Sequence, residues 1–332
     1  MLFGKFNIRE NRKGDSKMKK ILFIVNPKSG MGAGTLYKTK IEKWLGAHKE
    51  KSQIVLSSEN GFLSPYSLGK EAAERGVDVV VAVGGDGTIN LIVSGLMNSG
   101  LSVEKLPKLG IIRIGTGNNF AKNIGFPPAL LFDKNMSTIF GDNNTSYIDL
   151  GLVRDLDQGR KRCFVNVFSV GFDARVVRRE NYLKKNLSFF PKTLTYFLAA
   201  GGEIVAGLPS YELHVSGDKF DFQGKVSLLA VLNGPTYGGV FNIAPQANMI
   251  DGLLDVCLIK EVSKIEAVSL LFKALRGNHV SSSKVKLFKT RSLKIVSSVF
   301  IPREIDGEVI SSGGKSLVSI IPGALKVLTP SV

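Results

Sequence analysis

The chain has 332 residues, of which 44% are hydrophobic and 22% are charged, so it is a folded protein long enough for two domains. Its net charge of +16 predicts an anionic partner such as nucleic acid, an anionic membrane or a phosphorylated substrate. The three histidines and two cysteines share no metal-ligand spacing. Because an aromatic, basic platform is also missing, we expect no nucleic-acid partner.

The cysteines and the N-terminus indicate a cytoplasmic protein. Cys163 and Cys257 lie in apolar runs and read as buried free thiols, which suits a reducing compartment. The first twenty residues lack the apolar core of a signal peptide. The uncharged run 226–250 is interrupted by Asn, Gly and Pro, so it is not expected to span a membrane.

The first half of the chain alternates strands and helices. After a basic flexible tail over 1–18, the runs KKILFIV, SQIVLSS, VDVVVAVGG and KLGIIRIG predict strands, separated by helical patterns. This rhythm predicts an α/β domain with a doubly wound, mostly parallel sheet over 19–145.

The second half is rich in short strands. From SYIDLGLV onward, apolar runs follow one another with turn residues between them, and helical segments interrupt them near 174–207 and 263–276. The pattern predicts an antiparallel β-sandwich-like domain over 146–330, whose last strand could return to the first domain. We expect the active site in the cleft between the two domains.

Three glycine-rich loops end strands of the first domain: NPKSGMGAG, GGDGTIN and GTGNNF. In an open parallel sheet, ligands bind beyond the carboxyl ends of the strands, where glycines let backbone N–H groups approach phosphate oxygens. Neither the GxGxxG nor the P-loop fingerprint fits these loops. Taken singly, each glycine is also explained by a tight turn.

An ordered set of motifs resembles the bacterial lipid kinases of the diacylglycerol kinase and sphingosine kinase superfamily. The motifs are NPKSG, GGDGTIN, GIIRIGTGNNFA, DLG, FVNVFSVGFDARV, DGLLD and IDGE, and they extend over about 20–330. The resemblance implies transfer of the γ-phosphoryl group of ATP to the hydroxyl of a lipid such as diacylglycerol. It also implies the following nucleotide-binding residues: Asn26, Pro27, Lys28, Ser29, Gly30, Ser57, Gly85, Asp86, Gly87, Thr88, Ile89, Asn90 and Thr116.

Four carboxylates are expected in the catalytic site. Asp86 could hold or orient Mg²⁺ at the phosphates of ATP, and the alternative is a residue that caps the next helix. By resemblance, Asp149 belongs to the same acidic network. The resemblance also makes Glu308 the general base and Asp306 its support or that of the metal. The alternative for this pair is a solvated Asp-Gly hairpin turn.

The resemblance implies a second, structural Mg²⁺ bound by the Asp251 side chain with nearby backbone carbonyls, at Asn248 and Leu253, and the alternative is an Asp-Gly turn. Ile250 stands where several relatives carry another acid. In the same way, Leu91 replaces a frequent glutamate and Asn119 a frequent aspartate. Each change removes a negative charge, so a catalytically weak lipid- or nucleotide-binding protein is an alternative function. An NAD kinase-like enzyme is another, because NAD kinases share GGDGT.

A segment that begins at Asn181, NYLKKNLSFFPKTLTYFLAAGGEIVAGLP, combines apolar and aromatic residues with Lys184, Lys185 and Lys192. A core helix would explain its apolar residues. As a functional reading, it forms a wall for acyl chains and a cationic margin for anionic lipid. We therefore expect peripheral, salt-sensitive contact with an anionic membrane surface, and the sequence leaves a homodimer open.

Overall fold

The computed structural model describes residues 19–48, 52–115, 117–141, 144–186 and 192–330. The first half alternates strands and helices as the sequence predicts. Its strands are β1 (Ile21–Val25), β2 (Gln53–Leu56), β3 (Val79–Gly84) and β4 (Lys108–Arg113). Its helices are α1 (Ala33–His48), α2 (Pro65–Glu74), α3 (Asp86–Met97), α4 (Asn119–Asn123) and α5 (Phe132–Phe140).

These four strands form a parallel sheet in the order β4-β3-β1-β2. Strands β1 and β3 are buried along their whole length, because helices cover both faces of the sheet. Their carboxyl ends lie at one edge of the sheet, and the three glycine-rich loops follow β1, β3 and β4.

The second half is dominated by antiparallel strands. They are β5 (Asn144–Asp155), β6 (Lys161–Phe164), β7 (Val167–Gly171), β8 (Tyr211–Gly217), β9 (Phe220–Leu232), β10 (Thr236–Tyr237), β11 (Phe241–Asn242), β12 (Leu254–Lys260), β13 (Val285–Thr290), β14 (Ser292–Ile305) and β15 (Glu308–Thr329). Helices α6 (Phe172–Asn186), α7 (Lys192–Ala206) and α8 (Lys264–Ala274) occupy the two segments predicted to be helical.

The two halves share one hydrogen-bonded sheet of thirteen strands, because β15 pairs with strands of both. Its first part pairs with β14, and its end pairs with β4 through Val327 and Leu109. Between these parts, Pro322 and Gly323 interrupt the pairing with β5, and Gly323 has a φ of 57°. This break redirects the strand from the antiparallel region to the parallel sheet.

Alternating side chains of the central antiparallel strands enter two different cores. On β9, Leu229 and Val231 face the core between the layers of strands, whereas Leu228, Ala230 and Leu232 face the core beneath the helices. Because both faces are covered here, the run from Leu228 to Leu232 is apolar throughout, whereas the first half of β9 alternates. A separate core fills the first half and includes Ala324 to Leu328 of β15 apart from Lys326.

Candidate active site

The three glycine-rich loops touch one another at the carboxyl edge of the parallel sheet. A Cβ atom on Gly115 would lie 2.5 Å from the Cα of Gly85, and one on Gly30 would lie 2.3 Å from the carbonyl oxygen of Ile114. Gly30 also has a φ of 61°, which strains other residues. The loops therefore approach to backbone contact, and this requires glycine at these positions.

Asn26 joins the first loop to the second. Its Nδ2 donates to the Thr88 Oγ1 over 3.0 Å, and its Oδ1 accepts from the backbone N of Lys28 over 3.0 Å. Thr88 lies in the first turn of α3, so this amide connects the end of β1 to a helix N-terminus. Helix N-termini carry the partial positive charge that favours phosphate.

Asp86 joins the second loop to the third. Its two carboxylate oxygens accept from the backbone N atoms of Asn119 and Phe120, each over 3.1 Å, and the Nδ2 of Asn119 lies 3.4 Å away. The side chain therefore caps the short helix α4, a neighbour in space, although the sequence alternative was a cap on the helix that follows directly. The amide of Asn119 donates to Asp86, whereas an aspartate there would repel it.

Asp306 is fully enclosed by donors at the turn between β14 and β15. Its Oδ2 accepts from the Nδ2 of Asn90 over 2.6 Å and from the backbone N of Val165 over 2.7 Å. Its Oδ1 accepts from the backbone N atoms of Asn166 and Val167, each over 2.9 Å. Burial raises the pKa of Asp306 to about 6, although these hydrogen bonds act in the opposite direction. The carboxylate thus ties both halves of the chain together.

Glu308, two residues later, is more open. Its side chain is 57% exposed, and its Oε2 lies 2.7 Å from the Nη2 of Arg162 on β6. An ion pair of this exposure contributes little to stability, so its role is to orient the carboxylate. Asp306 and Glu308 therefore differ: the first is saturated with donors, and the second can accept a proton.

A cavity of about 400 Å³ lies between the loops and this turn; we call it the loop cavity. It is lined by Asn26, Ser29, Gly85, Gly87, Thr88, Asn90, Leu91, Ile305, Asp306, Gly307 and Glu308. Six of the predicted nucleotide-binding residues line it, and so do the two carboxylates of the β14–β15 turn. Leu91 contributes an apolar wall at the position of the missing glutamate.

Several predicted site residues lie elsewhere. The Ser57 hydroxyl lies 3.3 Å from the carbonyl oxygen of Val25, Lys28 pairs with Glu59, and Ile89 is fully buried in the core of the first half. Pro27 and Gly30 belong to the first loop but do not line the cavity, and Thr116 lies outside the described residues.

Asp149 lines neither the loop cavity nor the acidic cavity described below, where the other predicted catalytic carboxylates lie. Its Oδ2 accepts from the backbone N of Gly252 and its Oδ1 from that of Gly323, each over 2.7 Å. It therefore anchors two turns at the crossing between the halves, and the expectation of a shared acidic network is corrected.

A buried acidic cluster beside the turn was not singled out from the sequence. The hydroxyl of Ser169 lies 2.8 Å from the Oδ2 of Asp173 and 2.9 Å from the Oε1 of Glu304. The Tyr196 hydroxyl donates to the Oδ1 of Asp173 over 2.6 Å, and Gly307 donates its backbone N–H to the Oε2 of Glu304 over 2.8 Å.

The geometry of this cluster requires an extra proton. Ser169 has one hydroxyl hydrogen and can donate to one carboxyl group, so the other must itself donate to the serine oxygen. Burial, and next the charge of Asp173, raise the pKa of Glu304 well above its usual range. Burial raises the pKa of Asp173 as well, and because the Tyr196 hydroxyl donates to Asp173, we place the extra proton on Glu304. The available sequence signal was an acid directly after the apolar run VFSVGF and another two positions after VFIP.

A second cavity, of about 40 Å³, lies beside this cluster; we call it the acidic cavity. Its lining includes Asp86, Asp173, Glu180, Glu304 and Asp306, together with Tyr196 and Tyr237. It shares Asp306 and Gly307 with the loop cavity. Over the described part of the chain, no three His, Cys, Asp or Glu side chains are grouped as ligands for a metal ion.

A third cavity, of about 60 Å³, is lined almost wholly by apolar side chains from β9, β12 and helices α7 and α8; we call it the apolar cavity. It shares Tyr196 and Tyr237 with the acidic cavity. The loop, acidic and apolar cavities thus follow one another as neighbours.

The predicted structural metal site is occupied by a side chain. Asp251 accepts from the Lys289 ammonium over 2.7 Å, and the Asn248 Oδ1 accepts from the backbone N of Ile250 over 3.3 Å. The Asp251 Oδ1 accepts from the backbone N of Leu253 over 3.0 Å, as in an Asx turn. The Lys289 ammonium thus lies at the carboxylate that was expected to bind Mg²⁺, and the expectation of a metal ion at this turn stays a prediction.

Two family descriptions cover most of the chain. Residues 20–153 match the diacylglycerol kinase catalytic domain, and residues 166–329 match the YegS C-terminal NAD kinase beta sandwich-like domain. The second description refers to NAD kinase for the fold of the C-terminal half only.

Relatives align over nearly their full length. The chain is 28% identical over 294 residues to a diacylglycerol kinase of Bacillus subtilis, covering 88% of this chain and 90% of the relative. It is 30% identical over 262 residues to the "Probable lipid kinase YegS-like" of Xanthomonas euvesicatoria, covering 78% and 81%. A solved diacylglycerol kinase structure from Bacillus anthracis has a TM-score of 0.67 at 20% identity, with 95% and 98% covered, which shows a shared fold.

Proposed function

The chain belongs to the YegS-like lipid kinases with a diacylglycerol kinase catalytic domain, and on this basis we propose that its three neighbouring cavities hold the phosphates, the reacting hydroxyl and the acyl chain. The protein is an ATP-dependent lipid kinase. The observation that carries the proposal is the sequence of loop, acidic and apolar cavities, each sharing residues with the next.

The loop cavity is the proposed phosphate site. Backbone N–H groups of the glycine-rich loops and the N-terminus of α3 supply positive potential there. We propose that ATP enters as its Mg²⁺ complex, because both Asp86 oxygens already accept backbone hydrogen bonds within the protein. The Mg²⁺ therefore arrives with ATP, as part of the substrate complex. Asp86 acts by holding two loops in place.

The lipid hydroxyl is proposed to reach Glu308 at the border of the loop cavity. Its oxygen attacks the γ-phosphorus, the bond from the γ-phosphorus to the bridging oxygen breaks, and ADP leaves. Glu308 takes the hydroxyl proton, because it is the carboxylate at this turn with accepting capacity beyond its ion pair. Asp306 holds the turn by its four hydrogen bonds, which positions Glu308.

The apolar cavity is the proposed site for part of an acyl chain. Its lining offers apolar area with few polar groups, and burying each methylene group contributes about 0.8 kcal/mol. A glycerolipid such as diacylglycerol combines such a chain with a free hydroxyl, so we propose it as the substrate class.

A membrane-facing surface is proposed directly over this cavity. Leu194, Leu198 and Val205 of α7 lie on one helical face and are 41%, 47% and 76% exposed. On α8, Ile265, Val268 and Phe272 are 84%, 41% and 59% exposed, and Phe272 stacks on Phe197 of α7. We call these six exposed residues the apolar face. Among the described residues, no helix combines the length and hydropathy needed to cross a bilayer.

The test is transfer of radiolabelled phosphate from Mg²⁺–ATP to a panel of lipids by the purified protein. The panel contains diacylglycerol, phosphatidylglycerol, a sphingoid base and an isoprenoid alcohol, with NAD as the non-lipid acceptor. We expect a labelled lipid, and a loss of about 100-fold or more in kcat for Glu308→Gln. Asp86→Asn should also lose activity, since an amide would present N–H groups to the α4 N-terminus.

The matched control is Glu212→Gln, which changes an exposed carboxylate on β8. It should keep full activity, and circular dichroism should show that all variants are folded. Labelled NAD without labelled lipid would contradict the proposal, and turnover on no acceptor would favour a binding protein.

A further inference from the structure

The turn between β11 and β12 was expected to hold a structural Mg²⁺, and its Asp251 carboxylate is paired with an ammonium group. Three oxygens of this segment surround the Lys289 ammonium instead. They are the Oδ2 of Asp251 at 2.7 Å, the carbonyl oxygen of Gln246 at 3.3 Å and the Oδ2 of Asp255 at 3.5 Å. This is an oxygen-rich set of the kind that hard cations also take.

The position of Lys289 follows from the sheet. Lys289 lies on β13 directly opposite Asp255 on β12 in the antiparallel register, so the two side chains share one face. The side chains of Asp251, Asp255 and Lys289 are 23%, 10% and 34% exposed, so water screens this group only in part.

We propose that the Lys289 ammonium is the permanent cation of this turn and takes the place of a divalent metal ion. A divalent cation in the same place would lie within a few ångströms of the ammonium, and the repulsion would oppose its binding. Within the turn, the side-chain Oδ1 atoms of Asn248 and Asp251 also each accept a backbone N–H.

The turn supports the crossing between the two halves. Gly252 donates to the Asp149 carboxylate, and the Asp149 backbone N donates to the carbonyl oxygen of Met249 over 2.8 Å. Lys289 therefore stabilises the base of β5 without a metal. If the proposed function holds, the metal requirement of the reaction is that of Mg²⁺–ATP alone.

Mn²⁺ binding to the nucleotide-free protein tests this inference without any activity measurement. Electron paramagnetic resonance of free Mn²⁺ is followed during titration of the wild-type protein and of Asp251→Asn, Lys289→Met, Lys289→Arg and Lys289→Met/Asp251→Asn. We expect the wild-type protein and Asp251→Asn to bind Mn²⁺ equally. Lys289→Met should bind it at least tenfold more tightly, and the double variant should lose that gain.

Lys289→Arg keeps the charge and should behave like the wild-type protein. A wild-type Mn²⁺ site that Asp251→Asn removes would overturn the proposal, as would a folded Lys289→Met with no gain in affinity. Should Lys289→Met fail to fold, the comparison of the wild-type protein with Asp251→Asn still decides, because it needs no lysine substitution.

Discussion

At the scale of single residues, two carboxyl groups two positions apart, the buried Glu304 and the half-buried Asp306, differ in their hydrogen-bond partners. Asp306 is surrounded by four N–H donors and has no place for a proton of its own. One of Asp173 and Glu304 must donate toward Ser169, because that serine has only one hydrogen for two carboxyl groups, and we place this proton on Glu304, since Tyr196 donates to Asp173. Hydrogen-bond counting therefore separates a carboxylate from a carboxylic acid within one turn.

This difference predicts opposite responses to amide substitution. Glu304→Gln should retain the hydrogen bonds to Ser169 and Gly307, because an amide offers one donor side and one acceptor side; activity should stay within about threefold of the wild-type protein. Asp306→Asn should turn an N–H group toward donors, lower the free energy of unfolding by about 1–3 kcal/mol and abolish activity. Chemical denaturation and the kinase assay measure both. Equal damage by the two substitutions would contradict the assignment.

The pH dependence of the reaction also distinguishes Asp306 from Glu304. Since burial raises the pKa of Asp306 to about 6 and the ionised form holds the turn, activity should fall as pH decreases through about 6. The acidic limb of the pH–activity profile should have the slope expected for one proton. Glu304→Gln should keep this limb, because Glu304 does not ionise in this range. If the acidic limb disappeared in Glu304→Gln, the limb would report the titration of Glu304 and the assignment to Asp306 would be wrong.

The sequence located these residues only in part. Asp86, Asp306, Glu308 and Asn90 were found from motifs, and all four lie around the loop or the acidic cavity. Asp173 stood inside a quoted motif and Glu304 directly before IDGE without being recognised, because burial and a shared serine give them their role. Asn119 looked like a lost charge, yet its amide donates to Asp86.

At the scale of secondary-structure elements, the site depends on how closely the ends of β3 and β4 approach. Gly85 and Gly115 follow these neighbouring parallel strands, and their backbones are in contact. Glycine-rich strand ends were predicted from the sequence. Which two glycines meet was not predictable, because it depends on the register between strands.

Gly115→Ala should therefore damage both stability and nucleotide binding. The new Cβ would lie 2.5 Å from the Gly85 Cα, a backbone atom that cannot rotate away. Overpacking of this kind costs about 1–3 kcal/mol. Thermal unfolding and ATP titration by calorimetry measure the two effects.

The control is Gly46→Ala in α1, where a Cβ would have no neighbour within 4 Å. It should leave ATP affinity unchanged and increase stability slightly, because alanine favours helix more than glycine does. Unchanged ATP affinity in Gly115→Ala would show that the contact of the two loops does not shape the phosphate site.

At the scale of the whole molecule, charge and exposed apolar area act together. The net charge of +16 attracts an anionic bilayer, and lysines near such a surface contribute about 1 kcal/mol each. Lys264 and Lys273 lie on α8 beside the apolar face, and the Lys264 ammonium donates to the carbonyl oxygen of Val205 on α7. The side chains of Lys184, Lys185 and Lys192 lie outside the described ones.

We expect Ile265→Asp and Leu198→Asp to weaken binding to phosphatidylglycerol vesicles at least tenfold, because each places a carboxylate on the apolar face. Leu130→Asp is the matched control, since Leu130 is 90% exposed on the other half of the chain. Co-sedimentation at low and high salt gives the affinities, and added salt should weaken all of them. Equal binding by the face and control variants would exclude this surface.

The sequence by itself determined the alternation of helices and strands, the change to antiparallel strands and the lipid kinase family, because local periodicity and short ordered motifs record them. Only the tertiary structure decided that Asp173 and Glu304 share one serine hydroxyl, that Asp149 anchors turns, and that Lys289 pairs with the carboxylate of the predicted metal site. Each of these depends on residues more than thirty positions apart. Long-range strand pairing brings them together, and no local pattern encodes their distance or their burial.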